Sequence, residues 1–176
     1  MAEIPKELLE EKDFELDENG DVVFKQREYI QHPEGMFEAI IADISKAFVK
    51  YYKGTGRIAH RITYITEELL DDGRNMSKHE DITPSFHNKA TLRKRWDRIV
   101  QEPVPQGRVA MGQVREELLG KTVRLMIEER QSEDGHPYTA VAAAKASDNG
   151  MAVPDDFVPP ETPSYETDDG TDDFPG

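Results

Sequence analysis

Between residues 36 and 147 apolar and polar positions recur mostly with the short period of strands, interrupted by one helical stretch. Phe37-Glu38-Ala39-Ile40-Ile41-Ala42-Asp43-Ile44 predicts a first strand. Arg57-Ile58-Ala59-His60-Arg61-Ile62-Thr63-Tyr64-Ile65 predicts a second, with Ile58, Ile62 and Tyr64 on one side and Arg57, Arg61 and Thr63 on the other. After the turn Asp71-Asp72-Gly73, Lys78 to Thr83 predicts a short third strand closed by Pro84. Ser85 offers a helix N-cap. Beyond it Leu92, Trp96 and Ile99 recur at helical spacing and define a buried stripe, while Arg93, Lys94, Arg95 and Arg98 are assigned to the other face; Pro103 and Pro105 end the helix. A loop then leads to Lys121–Glu128, the fourth strand, with Val123, Leu125 and Ile127 on one side. The Glu133-Asp134-Gly135 turn joins it to a fifth, Tyr138–Ala142. Three strands, a helix and two strands is the order of the OB-fold, so the predicted fold class is mainly β: a five-stranded OB-fold barrel with one helix between strands three and four.

Before this barrel the pattern weakens. Pro5 can open a short helix through Leu8 and Leu9, Asn19-Gly20 predicts a turn, and Val22-Val23-Phe24 a short strand or docked segment. The predicted organisation is an acidic N-terminal arm (1–35), the barrel (36–147) and an acidic C-terminal tail (148–176). The tail, rich in proline and poor in apolar residues, is expected to be disordered.

Charge sharpens this division. Residues 1–35 hold 4 Lys/Arg against 11 Asp/Glu, residues 36–147 hold 18 against 16, and residues 148–176 hold none against 9, giving −7, +2 and −9 of the net −14. The acidity belongs to the two ends, which leaves the middle able to attract polyanions. The acidic start without an apolar run, and the absence of any apolar run of membrane-spanning length, predict a soluble, cytoplasmic protein.

The chemistry this pattern supports is binding. Proteins that hold single strands pair cations, which follow phosphates, with aromatics, which stack on bases. Lys50-Tyr51-Tyr52-Lys53-Gly54, expected in the loop between the first two strands, supplies both types within five residues. Arg57 and Arg61 share the polar face of the second strand, Lys78 opens the third, and Arg124 lies on the fourth. Trp96 is expected in the core. An enzyme is not expected: the five histidines are scattered, no cysteine is present, and no His-Glu-x-x-His pair, phosphate-cradling glycine loop or nucleophile elbow occurs. Glu15-x-Asp17-x-Asn19-Gly20 echoes a calcium loop, but its first ligand should be Asp and its twelfth position, Gln26, should be Glu. Neither metal nor cofactor is expected.

His32-Pro33-Glu34-Gly35 before the first strand, Thr83-x-Ser85-x-x-x-Lys89-Ala90-x-Leu92-Arg93 before the helix, and Leu118-Leu119-Gly120-Lys121 before the Asp134-Gly135 hairpin resemble the small phage-associated proteins that act as OB-fold single-stranded DNA-binding factors. The resemblance covers about residues 32–145. It implies a role in replication or recombination, coating single-stranded DNA with little sequence preference; stacking and phosphate capture fit RNA as well. The acidic end is similar in style to the tail of bacterial single-stranded DNA-binding proteins, which implies partner contacts through Asp172, Asp173 and Phe174. The alternative class is an acidic adaptor or inhibitor that contacts proteins and binds no nucleic acid.

Overall fold

The computed structural model describes residues 14–24 and 31–163, and the chain divides into two units after Ile30. In the first unit, β1 (Phe14–Leu16) pairs antiparallel with β2 (Val22–Phe24). The predicted Asn19-Gly20 turn joins them, and Asp17 Oδ1 accepts from the backbone N–H of both Asn19 and Asp21 at 2.8 Å. The helix expected near Leu8 lies outside the described residues.

The second unit carries a six-stranded antiparallel sheet: β3 (Gly35–Ile44), β4 (Phe48–Tyr52), β5 (Thr55–Leu69), β6 (Asn75–Ile82), β7 (Thr122–Gln131) and β8 (Pro137–Ala146). The path runs β4-β5-β3-β7-β8, and β6 pairs with β5. Register shifts interrupt the ladders at Ile41/Asp43, Ile65/Leu69 and Met126/Ile127. Such irregularities bend strands and raise their twist. The edge strands β6 and β8 approach each other, and Lys78 Nζ donates to the Thr139 carbonyl at 2.6 Å and to its hydroxyl at 3.0 Å.

The five predicted strands are present and longer than predicted, β5 most of all, although β6 stops at Ile82 rather than Thr83 and β7 begins at Thr122 rather than Lys121. Two elements were not anticipated. One is β4, discussed below. The other is a second helix: α1 (Thr91–Ile99) is followed by α2 (Met111–Leu118), whose Val114 and Leu118 are buried. Ser85 does not cap α1, which begins six residues later after Ala90. Its hydroxyl instead accepts from the His87 N–H at 3.1 Å, closing a local turn of the kind serine favours.

Leu92, Trp96 and Ile99 of α1 pack with α2 against Ile41, Ile62, Tyr64, Val123, Leu125 and Ile127 of the sheet. Trp96 is core, as expected, and donates its indole N–H to the Glu102 carbonyl at 2.8 Å. Arg95, assigned above to the polar face, is also buried. Its guanidinium grips Glu80 of β6 with both Nε and Nη2 and reaches the Val141 carbonyl. Tyr64 completes the network by donating to Glu80 Oε2 at 2.8 Å. Burial and the adjacent Glu80 hold the tyrosine pKa well above its ordinary value, so its proton stays on.

Both expected boundaries shift. Gln31–Gly35 go with the second unit because His32 is buried there, with Nε2 2.6 Å from Thr66 Oγ1 and its ring edge-on to Phe37. At the other end, residues 148–163 are the described part of the tail. Asn149 Nδ2 donates to Glu38 and to the carbonyls of Ala39 and Val123, while Met151, Val153 and Phe157 are half-buried. No described helix is long and apolar enough to cross a membrane.

Candidate functional site

Phe48–Tyr52 was expected in a loop and is instead β4, which forms a ribbon with the first residues of β5 in the register Phe48↔Ala59 to Tyr52↔Thr55. Lys53 and Gly54 make the two-residue turn, with φ of 49° and 80°. Positive φ at both central positions is the primed turn whose twist matches a hairpin. Alternation splits the ribbon into two faces. Lys50 and Arg57 pair on one; Val49, Tyr51, Gly56 and Ile58 occupy the other. Val49 and Ile58 are exposed, at 44% and 57%, and Tyr51 is half-buried. A Cβ at Gly56 would lie 3.0 Å from Tyr51 Cε1 and 3.2 Å from Val49 Cγ1, so the tyrosine edge and the valine lie close over this glycine.

The predicted cations have partners that local sequence does not reveal. Lys50 is buried, its ammonium 2.8 Å from Asp81 Oδ2. Arg61, whose Cζ lies 5.8 Å from the Phe48 ring centroid, takes the other oxygen of the same carboxylate at 2.7 Å. Burial alone would raise the Asp81 pKa, but Arg61 and Lys50 outweigh it and hold the carboxyl below its ordinary value. Lys53, at the ribbon tip, reaches Glu133 in the β7–β8 turn at 2.8 Å, both side chains well exposed. Arg124 pairs with Glu38, and Lys78 is spent on Thr139. Burial lowers the Lys78 pKa. Arg57 is exposed. Thus Lys50, Tyr51, Lys53, Arg57 and Arg61 come together on or beside one ribbon, whereas Arg124 lies elsewhere on the sheet. The Tyr52 backbone belongs to the ribbon; Asp172, Asp173 and Phe174 lie outside the described residues.

One signal was available in the sequence and went unused. Between Asp43 and Glu67 lie 23 residues with five Lys/Arg and no Asp or Glu, in a chain of net charge −14. That acid-free run is the ribbon and its continuation along β5. The carboxylates that answer it, Asp81 and Glu133, come from other elements.

His32 makes the unit pH-sensitive. Burial lowers its pKa below the ordinary 6.5; Lys78 acts the same way, while the Pro33 carbonyl and Glu68 oppose. The unfolded chain therefore takes up the proton first, so stability is full above about pH 6.5 and falls as pH drops through the folded value. The melting temperature is expected to decline as pH falls below about 6.5, and His32→Gln to flatten that decline. Thermal melts of both proteins across this window are the check, and parallel profiles would remove His32 as the cause.

Compared with known proteins, the chain matches no protein-family model, and no curated protein matches it in sequence.

Proposed function

We propose that this chain binds single-stranded DNA with little sequence preference, in replication or recombination of a phage-type element, through a barrel of the OB type. The observation that carries this reading is the β4–β5 ribbon, which sets Lys50, Lys53 and Arg57 beside Tyr51 and Tyr52 within an acid-free stretch of an acidic protein. Cations gather phosphates and flat rings accept bases regardless of sequence. Strand order supports the barrel. β3 stands between β5 and β7, β6 lies beyond β5, β8 lies beyond β7, and α1 falls between β6 and β7 in the chain. In that scheme the ribbon is the connection between the first two strands and the β7–β8 turn the connection between the last two, the pair that flanks oligonucleotides in this fold.

The adaptor reading has one observation in its favour: Asp81, Glu133 and Glu38 already neutralise four of the predicted cations. Fluorescence anisotropy with labelled oligo-dT at low salt, beside duplex DNA and RNA of equal length, separates the two. A single-strand preference is expected. Tyr51→Ala should weaken binding by about 1–3 kcal/mol without unfolding the protein, because a stacking ring is lost from an edge of the fold. Absence of single-strand preference would leave the adaptor reading in its place.

A further inference from the structure

We propose, resting on the single-strand reading, that the β4–β5 ribbon is a gate: its tip contact with the β7–β8 turn closes over the outer face of β5 and β6 and must open to seat a strand. Every pairing in the sheet is antiparallel, so β6 and β8 run the same way. The ribbon is rooted where His60 pairs with Ile82, at the finish of β6. The β7–β8 turn lies before Pro137, at the start of β8, and Thr139 just beyond accepts from Lys78 in the first half of β6. The Lys53–Glu133 bond therefore joins elements that arise at opposite ends of β6 and on its two sides, one from β5 and one from β8.

The two ends of the ribbon are held by unequal bonds. Near the root, Lys50 and Asp81 are each about 5% exposed, and Arg61 shares the same carboxylate. At the tip, Lys53 and Glu133 are 58% and 68% exposed. Exposed pairs are weak and screened by salt, whereas removing one partner of a buried pair is costly. Of these described pairs, the one at the tip is the easier to part. On the face beneath, Thr63 and Asp81 nearer the root are buried, while Ser77 and His79 further along β6 are exposed. Opening the tip widens access to that exposed stretch and exchanges the Lys53 contact with Glu133 for one with a phosphate, so a polyanion favours the open form.

The chain contains no cysteine, so a Lys53→Cys/Glu133→Cys variant can be bridged specifically with a reducible bis-thiosulfonate spacer. The bridged protein is expected to bind oligo-dT at least about tenfold more weakly than the same protein after reduction, since it lacks the competent state. Glu133→Gln should bind a few-fold more tightly than the parent. Equal affinity of bridged and reduced forms overturns the gate. Hydrogen exchange of the Tyr51–Arg57 amides tests the motion without ligand: slower exchange in the bridged form supports it, and equal exchange overturns it. Slower exchange with no oligo-dT binding in any form would keep the moving tip and remove the single strand as its ligand.

Discussion

Replacing Arg95 by alanine is expected to cost about 3–5 kcal/mol of folding stability, lowering the melting temperature by roughly 10 °C or more. The reason is what is left behind. Glu80 is only 5% exposed and takes its charge partner from Arg95 alone among the described ion pairs. Without the guanidinium its carboxylate is buried between Tyr64 and the core, where water cannot replace the lost bonds. The network does not stabilise because it is ionic. An apolar set of similar volume, Arg95→Met with Glu80→Leu and Tyr64→Phe, should recover most of the loss, since desolvation nearly offsets the attraction of a buried pair. Thermal melts of the single and triple variants decide the matter. A small effect of Arg95→Ala would show that α1 is held by packing alone, whereas a triple variant as unstable as the single one would show that apolar packing cannot replace the network.

Arg95 also marks where the sequence was legible and where it was misread. At about 100° per residue, Arg95 lies roughly 60° from Leu92 and 40° beyond Ile99, flanking the stripe on the side away from Trp96. Residue type sent it to the polar face; spacing would have placed it at the edge of the buried arc. Alternation found β7 and the middle of β5, and a β-rich apolar run found β3, although burial in β3 and β5 covers consecutive residues. Alternation missed β4 because Lys50 and the Lys53-Gly54 pair look like loop. Yet a two-residue glycine turn between β-rich runs is a hairpin signal, and the buried Lys50 is answered by Asp81 from another strand. The second helix was lost because Val114 and Leu118 are its only buried residues and Gly112 weakens the pattern. What no local pattern could supply was pairing between elements: Lys50 with Asp81, Lys53 with Glu133, Arg95 with Glu80.

Asp81→Ala is expected to be the most damaging change at the ribbon itself. Asp81 is the shared counterion of Lys50 and Arg61, and deleting it leaves two cations facing each other on one face. Their costs differ. Arg61 is about a quarter exposed and can turn toward water, whereas the Lys50 ammonium is buried. The loss should therefore fall near the lower end of the range for breaking a buried pair, about 3 kcal/mol. Lys50→Met in the Asp81→Ala background should restore part of it by removing a buried charge. The same pair of variants tests the ribbon's role in binding, because electrostatic capture leaves its mark in the salt dependence of affinity. If the ribbon meets phosphates, Asp81→Ala, once shown to be folded at the assay temperature, should bind oligo-dT with a steeper salt slope than the parent, having released Arg61 from its carboxylate. Lys50→Met/Asp81→Ala should keep most of that steepening, since Arg61 is the more exposed of the two cations. Identical slopes in all three proteins would confine the Lys50–Asp81–Arg61 cluster to holding the ribbon in place.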